Sequence, residues 1–260
     1  MRASLPNSMK VTVLGSGTCI PAPQRGNAGY LVESENDIIL MDGGSGSLRN
    51  IANFGFDYRK IRHVLYTHMH PDHTLDLVAL LFALKNDPEI TGNHRIEIRA
   101  PVGFGSFYEG VLNLFGRWVD SEKYTVTIHE HQPGDAFDLK FVRVSAGPVI
   151  HSEQSLAYRI EDKKGSVLVY SGDTGYSEAF ADFAAGADCL ILEAAIPESE
   201  SYEKHATPSE AGRMANRANA RKTLLTHFYP QAETEDISGI AQQYFSGELV
   251  MAEDGVTYSI

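Results

Sequence analysis

Only two cysteines, Cys19 and Cys189, occur in the 260 residues, far apart and with no Cys-x-x-Cys pair. Their scarcity excludes a disulfide-stapled scaffold and a cysteine-type zinc site, and points to a cytoplasmic protein with two free thiols. No apolar run approaches the roughly eighteen residues that a membrane helix needs, so no span and no membrane partner are expected. The opening Met-Arg-Ala-Ser-Leu-Pro-Asn-Ser lacks the apolar centre of a signal peptide, and residues 1–8 are expected to form a disordered lead. Basic residues are also few, 22 Lys and Arg against 34 Asp and Glu, for a net charge of −12. Phosphate contacts along a nucleic acid need clustered Lys and Arg, so this balance argues against a dedicated nucleic-acid surface while leaving a local basic patch open. No low-complexity linker divides the chain, and its apolar content of 43% is that of a globular protein. Residues 1–260 therefore read as a single domain, with homodimerisation left open.

What is present alternates between β-rich and helical patterns. Val11–Gly15, Ala28–Val32, Ile38–Met41, Arg62–Tyr66 and Ile96–Arg99 read as strands, with helices over Leu48–Phe54 and Phe104–Phe115. Leu75–Leu84 is apolar nearly all round and reads as a buried helix. The second half repeats the style. Tyr124–His129, Phe141–Val144, Leu156–Ile160, Val167–Tyr170, Cys189–Leu192 and Leu224–Leu225 read as strands, and Tyr176–Ala184 as a helix. Thr207-Pro-Ser-Glu210 carries a capping box with Pro at the first helical position, so a helix runs from there to about Ala218. Leu249–Ala252 and Val256–Tyr258 look like a closing hairpin around Asp254-Gly255. Two similar halves of this kind predict an α/β fold in which two sheets pack together with helices outside.

The densest chemistry lies in His68-Met69-His70-Pro71-Asp72-His73, directly after the apolar run Val64-Leu65-Tyr66. Imidazole and carboxylate together suit a divalent ion such as Zn²⁺. Four such groups on one tight loop are more than one ion uses comfortably, which suggests two ions side by side; the bland alternative is a solvated His-rich loop. Further His and Asp residues stand alone at the ends of β-like runs: His151 after Val149-Ile150, Asp173 after Val167–Gly172, and His227 after Thr223–Thr226. One such His is more often capped or solvated than a ligand. Three placements of the same kind can converge on one rim of a sheet. His63, His94, His129 and His131 have no partners at metal spacing and read as structural or solvated. Gly15-Ser16-Gly17 reads as a tight turn rather than a phosphate loop, and Arg25 and Asn27 on the next loop are candidates for substrate contact.

Taken together, His-x-His-x-Asp-His, a lone His, Ser-Gly-Asp-Thr and a final lone His resemble the metallo-β-lactamase superfamily over nearly the whole chain, from Val13-Leu-Gly-Ser-Gly17 to His227-Phe-Tyr-Pro230. The resemblance implies a four-layer αββα sandwich, two mixed sheets flanked by helices, with two metal ions at the sheet edges. It implies that His68, His70 and His151 hold one ion, that Asp72, His73 and His227 hold the other, and that Asp173 bridges both. Asp42 would orient the ligand loop from behind. An acidic residue at position 70 would resemble the flavodiiron branch, and a Cys at position 173 the true β-lactamases; this chain has His70 and Asp173. Leu192-Glu193-Ala194, His205-Ala-Thr-Pro-Ser-Glu-Ala-Gly212 and Leu224-Leu-Thr-His-Phe228 resemble the ribonuclease Z-like phosphodiesterase branch. There His205 would donate a proton, supported by Glu193. Its alternative is a residue that merely precedes a capped helix.

The implied activity is hydrolysis of a phosphodiester, RNA or a small or cyclic one, by a hydroxide shared between two divalent ions. Zinc is expected, with manganese and iron also accepted by these ligands. Asp72 would orient the nucleophile and His205 protonate the leaving alkoxide. One departure matters. Ribonuclease Z carries a long arm for tRNA between the third metal His and the bridging Asp, whereas only 21 residues, reading as one hairpin, separate His151 from Asp173. The arm is absent unless another segment such as 103–123 replaces it. Two other functions compete: hydrolysis of a thioester, lactone or lactam on the same metal site, and a catalytically silent binding subunit. The former has no need of a leaving-group acid at His205, and the latter would be marked by lost ligands.

Overall fold

The computed structural model describes residues 9–35 and 37–260; the lead expected over 1–8 lies outside them. The first sheet is built from β1 (Lys10–Gly15), β2 (Gly29–Ser34), β3 (Asp37–Met41), β4 (His63–Leu65), β5 (His94–Pro101) and β6 (Tyr124–His131). The second holds β7 (Ala136–Asp138), β8 (Val142–Gly147), β9 (Ala157–Asp162), β10 (Val167–Tyr170), β11 (Cys189–Glu193), β12 (Lys222–Thr226) and β13 (Glu248–Met251), after which β14 (Thr257–Ser259) returns to the first. Strand orders are β14-β1-β2-β3-β4-β5-β6 and β13-β12-β11-β10-β9-β8-β7, with antiparallel and parallel pairs in each. Helices α1 (Ser47–Asn53), α2 (Pro71–Thr74), α3 (Asp76–Asn86) and α4 (Phe104–Phe115) belong to the first half, and α5 (Glu178–Phe183), α6 (Pro208–Arg217) and α7 (Ile237–Gln242) to the second. This is the αββα sandwich of two mixed sheets that the sequence predicts.

The period of two in the strands explains the layering. Val11, Val13, Tyr30, Val32, Ile39 and Met41 meet Val144, Tyr158, Ile160, Leu168, Tyr170 and Ile191 in the core between the sheets. Their neighbours point the other way. Leu31, Leu40, Val64 and Ile98 pack under α1, α3 and α4, and Val167, Val169, Leu190, Leu192 and Leu225 pack under α5, α6 and α7. Strands buried on both faces must be apolar throughout, which is why they read as continuous runs. The capping box at Thr207 and Glu210 forms in full, and Ser177 caps α5 by accepting from the Phe180 amide at 3.1 Å.

Two expectations are corrected. Leu249–Ala252 and Val256–Tyr258 do not make a hairpin: β13 pairs with β12 in one sheet and β14 with β1 in the other. The Asp254-Gly255 turn is redirected because the Asp254 carboxylate accepts from the Ser16 amide (2.9 Å) and hydroxyl (2.7 Å) and from the Gly26 amide (2.6 Å), while the Gly255 amide donates to Val13 (2.8 Å). A ready set of donors in another part of the chain outweighs the local turn preference. Helix α3, in turn, is not buried all round. Leu77, Leu80, Leu81 and Leu84 are, but Phe82 and the preceding Leu75 face solvent along an apolar groove of about 640 Å³ between α3 and α4. Among the described residues its lining is apolar but for Thr74, and the chemistry gathers elsewhere.

Candidate metal centre

The parallel strands β3 and β4 of one sheet, and β10, β11 and β12 of the other, deliver their following loops to one edge of the sandwich. Asp42 follows β3, the His68–His73 loop follows β4, Asp173 follows β10, Glu193 ends β11, and His227 follows β12. His151 comes from the loop after β8. Pro71 takes the first position of α2 with His70 before it, so the two His and the Asp that follow are bent into a single turn. Gly44 lets the β3 loop press on that turn: a Cβ there would stand 1.9 Å from the Asp72 carbonyl oxygen. Asp42 and His227 hold φ angles of 51° and 59°, a conformation costly for residues with side chains, and both are fixed by neighbours. The His227 amide donates to the Ser16 carbonyl at 2.8 Å. Asp42 accepts four bonds.

The structure brings all seven side chains expected as ligands together. His68, His70, His151 and Asp173 present donor atoms within 4.8 Å of one another, and so do Asp72, His73 and His227. The Asp173 carboxylate lies between the groups. Its Oδ2 is 3.7 Å from His68 Nε2 and 3.6 Å from His151 Nε2, and its Oδ1 is 3.2 Å from His73 Nε2 and 3.3 Å from His227 Nε2. Asp72 Oδ2 is 3.6 Å from His227 Nε2 and 3.9 Å from His73 Nε2.

Second contacts fix which ring nitrogen faces inward. His73 Nδ1–H donates to Asp42 Oδ2 at 2.8 Å, and His151 Nδ1–H donates to the Lys204 carbonyl at 3.1 Å. Thr67 gives its hydroxyl proton to Asp42 Oδ2 at 2.9 Å, so at 3.0 Å its oxygen accepts from His68 Nδ1–H. Each of these rings therefore turns a lone pair inward. His73 Nε2 meets His227 Nε2 at 3.3 Å, and His151 Nε2 meets His70 Nδ1 at 3.2 Å. In each pair one nitrogen can donate to the other, or both can face a shared cation. His68 Nε2 and Asp173 Oδ1 are buried with no hydrogen-bond partner among the described residues, a costly state for polar atoms unless an ion satisfies them. Burial first, and the nearby His73, hold the His68 imidazole well below its usual range, which keeps it neutral and able to ligate. The donor set fits divalent metal ions.

Glu193 is fully buried and gathers three donors: the Thr174 amide, the Ala206 amide at 3.1 Å, and His205 Nδ1–H at 3.1 Å. Burial pushes its carboxyl up, while these donors favour the ionised form. Burial alone would push His205 down, but the bond to Glu193 and its charge outweigh that and raise it. With Nδ1 occupied, His205 Nε2 is the ring atom left for the centre, and His205 falls within 4.8 Å of donor atoms of Asp173 and His227. It stands beside the cluster with Nδ1 tied to Glu193, so a proton on Nε2 would face the cavity.

The sequence reading missed several members of the site. Tyr170 donates to Asp42 at 2.9 Å, and it reads as core because it ends an apolar strand. Tyr202, Lys204, Tyr229 and Cys19 line the cavity of about 400 Å³ that opens onto the cluster, and no local pattern marks them. Arg25 and Asn27, expected to touch substrate, are committed elsewhere. Arg25 donates to Glu233 (2.8 Å), Ser16 (2.7 Å) and the Ala252 carbonyl (2.7 Å), and Asn27 donates to the Thr18 carbonyl (2.5 Å). They brace the Gly15–Gly17 turn, where a Cβ on Gly15 would lie 1.9 Å from the Asn27 carbonyl oxygen.

The family model for the beta-lactamase superfamily domain matches residues 39–228. A ribonuclease Z from Mycobacterium bovis BCG is 27% identical over 270 residues, 95% of this chain and 96% of that protein. Among solved structures, the metallo-beta-lactamase fold protein YhfI from Bacillus subtilis superposes with a TM-score of 0.85 at 26% identity, covering 98% of this chain and 100% of that one. The short form of human tRNase Z superposes with a TM-score of 0.80 at 24% identity, covering 96% and 99%.

Proposed function

The chain belongs to the beta-lactamase superfamily and is a metal-dependent hydrolase, and we propose that it is a phosphodiesterase with two divalent ions, zinc first, acting on RNA or on a small or cyclic phosphodiester. His68, His70 and His151 would hold one ion, Asp72, His73 and His227 the other, and Asp173 would touch both. When bound, such ions activate water for attack at neutral pH and neutralise charge on phosphoryl oxygens. The chain's own residues do the rest. Asp72 orients the attacking water, and Asp42 locks the His73 ring and the Thr67 backbone so that the ligand loop needs no rearrangement. His205 protonates the leaving oxygen from Nε2 while Glu193 holds Nδ1–H and favours the charged ring.

The observation that carries this reading is the buried Glu193–His205 pair set beside the ligand cluster. An alkoxide is a poor leaving group and needs a proton, whereas a strained lactam or a thioester has much less need of one. The arm expected of a tRNA-processing relative is missing: residues 152–172 hold the antiparallel hairpin of β9 and β10, and α4 within 103–123 packs through Phe104, Phe107 and Val111 on its own sheet. A smaller phosphodiester is thereby favoured over precursor tRNA. Two unpaired cysteines accord with a cytoplasmic setting, and among the described residues no helix is long and apolar enough to cross a membrane. A panel of bis-aryl phosphate, cyclic nucleotides, precursor tRNA, a thioester and a lactone, offered to metal-reconstituted protein, tests the reading. Turnover of phosphodiesters is expected. Turnover of the thioester or lactone alone would move the chain to the carbonyl hydrolases.

A further inference from the structure

The cavity above the ligand cluster is walled by two tyrosines and a lysine. Tyr202 lies against His205 with ring centroids 5.6 Å apart and planes 28° from parallel, and His205 lies against His227 at 5.9 Å and 23°. The three rings form a column whose inner members are a proposed ligand and the proposed acid. Tyr229 meets both histidines edge-on, at 75° and 86°. Tyr202 is the outermost ring and is 55% exposed, so the column ends in a flat aromatic surface open to solvent at the cavity mouth. A large aromatic side chain left this open, on the wall of a polar cavity, is a surface waiting for a flat partner. Among the described residues, Lys204 is the one Lys or Arg lining the cavity.

We infer that the substrate is a mononucleotide phosphodiester whose base, on the leaving side, stacks on Tyr202. The inference rests on the phosphodiesterase reading and sharpens it. His205 can protonate only an oxygen beside it, so the leaving group must lie along the wall that Tyr202 continues. A nucleoside placed there presents a planar π face to the tyrosine ring, a contact that serves any base. One lysine and a cavity of about 400 Å³ match a single nucleotide, at the small end of ligand sites. A polyanionic strand would meet one cation in the cavity and a chain of net charge −12 around it.

The test compares wild type, Tyr202→Phe and Tyr202→Ala, all metal-loaded, on four probes: adenosine 3′,5′-cyclic phosphate, its 2′,3′ isomer, the cyclic phosphate of methyl riboside, which has no base, and a bis-aryl phosphate. Wild type should prefer the better base-bearing ester over its base-free counterpart by about 10- to 100-fold in kcat/KM, the span that base stacking supports. Tyr202→Phe should keep that preference. Tyr202→Ala should abolish most of it, read as the ratio of the base-bearing to the base-free rate, and calorimetry should show adenosine monophosphate binding weakened more than ribose phosphate binding. Equal rates on base-bearing and base-free esters in wild type, or equal losses on both in Tyr202→Ala, overturn the inference and leave the phosphodiesterase reading standing. Failure of wild type to cleave any phosphodiester, bis-aryl phosphate included, overturns both.

Discussion

His94 is 4% exposed, and its Nε2 lies 2.8 Å from Nη1 of Arg62. Burial first, and then the guanidinium, push its pKa down from 6.5 to about 4. In the unfolded chain the ring titrates near its ordinary value, so between those two pH values the unfolded chain binds a proton that the folded chain refuses. This residue therefore makes the fold less stable as pH falls from about 6.5 toward 4, and adds no further slope below that. The urea midpoint of His94→Asn should fall less steeply across that window than wild type; parallel slopes would mean the ring titrates alike in both states. The reading of His94 as structural from its lack of spaced partners thus agrees with its contacts. Ligand candidates were legible for the opposite reason. Metal chemistry permits few residue types, and His68, His70, Asp72 and His73 place four side chains of two such types within six residues. Tyr202 and Lys204 were not legible, because a cavity wall is made by whichever side chain a loop happens to present, and that depends on contacts distant in sequence.

At the scale of elements, apolar runs such as Val167–Tyr170 and the capping box at Thr207 announce themselves, since periodicity and caps are local. The β13–β14 connection did not, because its direction is decided by Ser16 and Gly26 some 230 residues away, whose donors capture Asp254. The loop of residues 203–205 is shaped by similar long-range contacts. A Cβ on Gly175 would stand 1.8 Å from the Glu203 carbonyl oxygen, so this loop can press on the Asp173–Gly175 segment only while position 175 is glycine. The same loop carries Lys204, whose carbonyl orients His151, and His205 itself. Gly175→Ala must displace it. We expect a loss of roughly 1–3 kcal/mol in stability, as for other overpacked sites. We also expect a fall in kcat/KM on the order of 10²-fold, as when a catalytic group shifts by about an ångström. Unchanged kcat/KM in a folded variant would show that the loop position is immaterial to turnover.

On the scale of the whole molecule, the proposed centre ties the two halves together. His68, His70, Asp72 and His73 come from the first sheet's loops, and His151, Asp173 and His227 from the second's. Ions held between them would stabilise the sandwich by mass action as well as serve chemistry. Protein purified without chelator should hold about two divalent ions per chain. Asp173→Ala should lose at least one, and chelation should lower Tm; a reproducible value near one, unmoved by added zinc or manganese, would refute the two-ion centre. If the proposed centre cleaves phosphodiesters with His205 as proton donor, the effect of His205→Ala must depend on the leaving group. The variant should keep its metal content, lose little on a nitrophenyl phosphodiester, whose leaving group departs without a proton, and lose on the order of 10²–10⁴-fold in kcat on an alkyl or nucleotide ester. Equal losses on both ester types, with metal retained, would contradict the account.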